Sequence, residues 1–119
     1  MTGFVVQGGG YSSGLAAKSG TLASIPPESN KGLTKLRGTL AMARSAEPNS
    51  ATSQFHFNRV DKPALDYREA SNPGYAVFDK IVKGLDIMDA LGGVPTAVQN
   101  TIPDVPVTEV VVKIASRVR

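Results

Sequence analysis

Apolar residues fall along this chain in short runs separated by long stretches rich in Gly, Pro and Ser. Phe4-Val5-Val6-Gln7 is a β-branched run closed by Gly8-Gly9-Gly10. It predicts a strand ending in a turn that needs unusual backbone angles or close approach. Residues 39–42 and 54–57 predict two strands joined by a small-residue loop, 43–53, whose Pro48-Asn49-Ser50 is turn chemistry. Residues 75–82 predict a further strand carrying Val77, Phe78, Ile81 and Val82. The period then changes: Leu85, Met88 and Leu91 recur every three residues with Gly92-Gly93 behind them, which predicts a short amphipathic helix over 84–91. Residues 110–118 alternate Val110, Val112, Ile114 and Val118 against Val111, Lys113 and Arg117, and predict a long final strand.

The intervening segments predict loops. Residues 10–30 hold many Ser, Gly and Pro residues, and Pro26-Pro27 should keep that stretch extended. Residues 58–73 contain Pro63 and end in Asn72-Pro73-Gly74. Short strands, one short helix and loops too long for simple hairpins define a mainly β domain. At 119 residues the chain is expected to form one domain, 1–119, with a single core.

Composition narrows the chemistry. There is no Cys, which excludes disulfides, thiolate catalysis and Cys-type zinc sites, and the single His removes most other metal options. No cofactor is expected. Thirteen basic and ten acidic residues give a formal charge of +3. The basic residues are spread without a long run and read as ordinary solvation, so nucleic acid is not an expected partner. No apolar run approaches the ~20 residues needed to cross a bilayer, and residues 1–10 lack a signal-peptide pattern.

Two chemical motifs are weak. Residues 8–14, GGGYSSG, follow a strand as a phosphate loop would, but Ser13 stands where a dinucleotide fingerprint wants Gly and Leu15 where a P-loop wants Lys. Ser53, His56 and Asp66 could be offered as a hydrolase triad. On a strand, however, Ser53 and His56 point to opposite faces, and no nucleophile elbow surrounds the Ser.

The stretch 38–58, GTLAMARSAEPNSATSQFHFN, resembles the central signature of the cyclophilins, the peptidyl-prolyl isomerases. Residues 3–9, GFVVQGG, and 74–91, GYAVFDKIVKGLDIMDAL, resemble the flanking family segments in the right order. The resemblance implies a cyclophilin-like antiparallel β-barrel of eight strands with a capping helix at each end. It also implies that the first strands and first helix lie outside this chain, through shortening or a start placed at an internal Met. An Arg that works on the substrate, in a Phe-His-Arg segment upstream of the GFVVQGG stretch, is likewise outside it. An opened barrel exposes strand edges, so this chain alone is expected to be marginally stable or self-associating. With the natural start upstream, the lack of a leader carries little weight on compartment; cytoplasm is favoured over periplasm. Tyr75 matches bacterial members, where eukaryotic ones have His.

Matched residue by residue, Phe4, Val5, Gln7, Gln54, His56, Leu65 and Tyr75 fall on positions that line the family's proline pocket. Ala43, Arg44 and Ser45 fall on the wall that holds the peptide backbone, and Phe55 on a core position. Val5 stands where Met is frequent, and His56 where Phe usually forms the floor. The implied partners are proline-containing polypeptides and cyclosporin-type ligands.

The implied reaction is rotation about an X-Pro amide, with a barrier of roughly 18–20 kcal/mol. It needs no nucleophile or metal. It needs a slot for the proline ring, here Phe4, Val5, His56, Leu65 and Tyr75; groups to hold the peptide, here Gln7, Gln54 and the backbone of Ala43 and Ser45; and a donor to the proline nitrogen. That donor is the upstream Arg. Transition-state donors of this kind are worth roughly 3–4 kcal/mol, so this chain alone is expected to be slower by a factor on the order of a hundred to a thousand. A non-catalytic proline-peptide-binding module is the alternative reading, and a structural β domain without a groove a third.

Overall fold

The computed structural model describes residues 5–62, 66–69 and 71–117. Eight strands and one α-helix occur among them: β1 Val5–Gly8, β2 Tyr11–Ser12, β3 Ala16–Ala17, β4 Thr39–Met42, β5 Phe55–Asn58, β6 Val77–Lys80, α1 Leu85–Gly92, β7 Thr96–Gln99 and β8 Ile102–Pro106. A 3-10 turn covers Ser29–Lys31. The runs expected near 4–7, 39–42, 54–57 and 75–82 all become strands, with ends shifted by a residue or two.

These four strands form one antiparallel sheet in the order β1-β5-β4-β6. Val5 pairs with Asn58, Gln7 with His56, and His56 in turn with Ala41. Because side chains alternate across a pleated sheet, this register puts Val5, Gln7, Ala41, His56 and Asn58 on one face and Val6, Leu40, Met42, Phe55 and Phe57 on the other. On the first face Val5, Ala41, His56 and Asn58 are buried and Gln7 is exposed. The second is half-buried, with Phe55 and Phe57 meeting edge to face at 5.7 Å. Phe55 thus lies with the packing residues opposite the pocket face.

The sheets described do not close on one another. The four-stranded sheet is accompanied by two separate hairpins, β2-β3 and β7-β8. The β2-β3 hairpin interrupts the segment expected as loop from 10 to 30. The β7-β8 hairpin lies in a stretch for which the sequence pattern predicts no element, and β8 accommodates Pro103 and Pro106. It turns on Asn100 and Thr101, both at positive φ (48° and 67°), the backbone that two-residue hairpin loops with primed turns require.

The long final strand is not formed: 107–117 carry no strand, and Val110, Val112 and Ile114 are exposed. Alternation gives a strand its faces, but a strand exists only against a neighbour that accepts its hydrogen bonds. Instead, the Glu109 carboxylate accepts from the Ser13 hydroxyl and the Gly14 N–H.

Helix α1 follows its expected period. Met88 is buried, Ile87 faces solvent, and Gly93 ends the helix by donating to the carbonyls of Asp89 and Ala90. Arg59, from the end of β5, donates to the carbonyl of Gly92, placing a cation where the helix dipole is negative. Arg37 forks onto both carboxylate oxygens of Asp89 at 2.8 and 2.7 Å, joining the entry to β4 to α1. No helix of the described residues is long and apolar enough to cross a membrane.

Candidate active site

The site is built on the face of β1, β5 and β4 that carries Gln7 and His56. Gln54, two residues before His56, shares its face, and Gln7 Nε2 donates to Gln54 Oε1 at 2.8 Å. The backbone beneath this pair is fixed by Gly9, whose φ is +88° and whose absent Cβ would lie 2.3 Å from the Ser53 carbonyl oxygen. Only glycine fits there. The Ser53 hydroxyl donates to the Gly9 carbonyl, and Asp66 accepts the Lys35 N–H, so Ser53, His56 and Asp66 form no triad.

His56 sits in the middle of the face, 6% exposed, with its ring edge-to-face on Tyr75 at 5.9 Å. Its Nε2 is buried without a hydrogen-bond partner. Burial pushes its pKa from 6.5 down to about 4, helped by the charge of Lys35, so the imidazole is neutral at pH 7. Tyr75 is flanked by two cations: the Arg44 guanidinium lies 4.7 Å from its ring centroid and the Lys35 ammonium 5.7 Å. Such contacts hold an aromatic wall in place.

Arg44 is spent inside the protein. Its Nε and Nη2 donate to the Gly74 carbonyl, and its Nη1 to those of Ser45 and Ala46. The neighbouring N–H groups are also committed, Ala43 to the Gln54 carbonyl and Ser45 to the Ser50 hydroxyl. These N–H donors are therefore satisfied within the protein, as is the Ser45 carbonyl by Arg44. The Ser45 hydroxyl is drawn toward Ser50 and Glu47 in the turn, away from the His56 cluster. Val5, Gln7, Ala43, Arg44, Gln54, His56 and Tyr75 come together; Phe4 and Leu65 lie outside the described residues.

Lys35 is the residue that sequence reasoning missed. It was counted among solvated basic residues, yet its side chain is fully buried. Its ammonium donates to the Tyr75 carbonyl and lies 3.9 Å from Asp66. Burial lowers its pKa from 10.5 to about 8, with Asp66 opposing the shift and Arg44 adding to it. No local pattern marked it, because the burying partners lie more than 30 residues away.

A cavity of about 400 Å³ lies apart from this cluster, between Ile25, Pro27, Met42, Ala51 and Phe78, and shares only Arg44 with the site. Its lining is mostly apolar, with Glu28, Lys31 and Arg44 as its charged residues.

The fold is that of the cyclophilin class. It matches the crystal structure of cyclophilin AquaCyp293 from Hirschia baltica with a TM-score of 0.61, at 17% identity, over 89% of this chain and 53% of that one. Sequence carries the assignment further. The family model for cyclophilin type peptidyl-prolyl cis-trans isomerase/CLD matches residues 1–113. The chain is 42% identical over 116 residues to a peptidyl-prolyl cis-trans isomerase of Acinetobacter baylyi, covering 95% of this chain and 61% of that relative. It is 42% identical over 115 residues to peptidyl-prolyl cis-trans isomerase B of Escherichia coli K12, covering 95% and 70%. Against isomerase A of Dickeya dadantii it is 41% identical, covering 100% and 62%. This chain belongs to the cyclophilin-type peptidyl-prolyl cis-trans isomerase family, and it spans about six-tenths of the length of two of these three relatives.

Proposed function

We propose that this chain carries the proline-gripping face of a peptidyl-prolyl cis-trans isomerase that assists folding by rotating X-Pro bonds, and that residues 1–119 act as one domain. The observation that carries this reading is the placement of Val5, Gln7, Gln54, His56 and Tyr75 on one face, in a chain of this family. A buried apolar floor and ring wall grip a prolyl ring, while the joined amides of Gln7 and Gln54 hold the peptide on either side of it. Gln54 Nε2 remains to donate to a substrate carbonyl and Gln7 Oε1 to accept from a substrate N–H.

Rotation breaks no covalent bond, so a rigid site that fits the twisted amide better than either planar form is sufficient catalysis. The proposed slot takes Phe4 and Leu65 as further walls, and the backbone of Ala43 and Ser45 as peptide contacts. Cyclosporin-type ligands are proposed to compete for the same face. Nucleic acid is not among the proposed partners.

The test is cis/trans exchange in a proline tetrapeptide, followed by NMR, with this chain and with a version extended upstream through the Arg that the family resemblance implies. Faster exchange with either protein supports the reading. No acceleration by either, with peptide still bound, leaves a binding module in its place.

A further inference from the structure

Two features around the site are unused by the proposed mechanism: a fully buried ammonium and a buried imidazole nitrogen without a partner. They share a wall. Lys35 reaches under Tyr75, donates to its carbonyl, and lies 5.7 Å from the centroid of the ring that meets His56 edge-on. Its own backbone is pinned on both sides: its N–H donates to Asp66 at 2.7 Å, and its carbonyl accepts from Lys62 N–H at 2.8 Å. Lys35 is therefore held at its backbone and, through the Tyr75 carbonyl, at its ammonium, and its side chain is fully buried.

A buried ammonium is costly, and the Asp66 carboxylate, its ion-pair partner among the described residues, stands 3.9 Å away. A Met of the same length would fill the space without that cost. A charge kept in such a place acts on what surrounds it, namely the Tyr75 carbonyl and ring, the Asp66 carboxylate, the Arg44 guanidinium and the His56 imidazole.

We propose that Lys35 is a positioning residue of the isomerase site: it fixes the Tyr75 wall through the carbonyl and sets a positive charge beside the His56 floor, so that the slot keeps its shape for an apolar proline ring. The proposal rests on the functional reading above. The mechanism is electrostatic and mechanical together. A positive charge on His56 would add to that of Lys35 beside the same Tyr75 ring, and the two repel.

Because the chain has one histidine, its imidazole proton signals can be followed by NMR without assignment. In the unaltered chain the midpoint is expected near 4. In Lys35→Met it is expected to rise but to stay below 6.5, because burial, the larger cause, remains, and peptide KM to rise several-fold with the Tyr75 ring signals broadened. Lys35→Gln keeps a donor for the Tyr75 carbonyl but no charge. It should recover most of the peptide affinity while leaving the histidine midpoint raised, a separation that a merely structural role would not give.

Unchanged midpoint and unchanged KM in folded Lys35→Met overturn the proposal. So does a midpoint near 6.5 in the unaltered chain, which needs no variant and decides the matter if both variants fail to fold. The titration does not depend on catalysis: a protein that neither binds nor turns over proline peptides refutes the isomerase reading, while the histidine midpoints still report whether Lys35 controls His56.

Discussion

Gln7 and Gln54, 47 positions apart in sequence, are joined by a 2.8 Å side-chain hydrogen bond that ties β1 to the entry of β5. The pair is exposed, so its contribution to stability is small and its position above His56 is what matters. Gln7→Ala and Gln54→Ala are expected to change stability by no more than ~0.5 kcal/mol. Each should lower kcat/KM for a proline peptide by about tenfold, the worth of one hydrogen bond. The double variant should lose less than the product of the two, because each amide orients the other. Urea midpoints and exchange rates on the three proteins measure this; additive losses would show that the amides act separately.

His56 gives the stability a defined acid limb. Its folded pKa, about 4, lies below the ordinary 6.5, so between these values the unfolded chain binds the extra proton and acid favours unfolding. The stability from neutral, buried His56 is complete above 6.5 and is lost as pH falls toward 4. Lys35 contributes with the same sign at higher pH: its pKa is about 8 in the fold against 10.5, so its burial becomes less costly as pH rises between those values. His56→Phe removes the first window and the unpartnered Nε2. We expect it to unfold at higher urea near pH 5, with the advantage shrinking toward pH 7, and to bind proline peptide more tightly. A pH-independent difference between the two proteins would place the cause in ring size alone.

Gly9 and Gly14 separate close approach from backbone strain. Both have positive φ, +88° and +79°, but a Cβ at Gly9 would meet the Ser53 carbonyl oxygen at 2.3 Å while one at Gly14 meets nothing within 4 Å. Gly14→Ala should cost about 1–2 kcal/mol, the strain of a left-handed alanine. Gly9→Ala should cost clearly more, and should also weaken peptide binding, since the strand bearing Gln54 must shift. Equal urea midpoints for the two variants would count against the contact.

Met88 anchors α1 as its one buried residue among those described. Met88→Ala is expected to destabilise the protein by about 2–5 kcal/mol. Ile87→Ala, on the exposed side of the same helix, should change it far less. Thermal melts of both variants test which face of the helix is anchored.

The sequence by itself determined the elements whose causes are local. A β-branched run ended by glycine marked β1, short apolar runs marked β4, β5 and β6, and a three-residue apolar period marked α1. Period two placed Gln54 and His56 on one face and Ser53 on the other, and the ordered signatures pointed to the family. Only the tertiary structure decided what depends on distant partners. The alternation of 110–118 found no neighbouring edge and formed no strand over its described part, whereas the proline-interrupted residues 96–106 made a hairpin because Asn100 and Thr101 turn the chain back on itself. The internal partners of Arg44, at the Gly74 carbonyl 30 positions on, and of the Ala43 N–H, at the Gln54 carbonyl, also come from distant residues. Lys35 looked like a solvated lysine and became a buried ammonium beneath Tyr75, because burial is set by packing across 40 residues of chain and leaves no trace in the residues beside it.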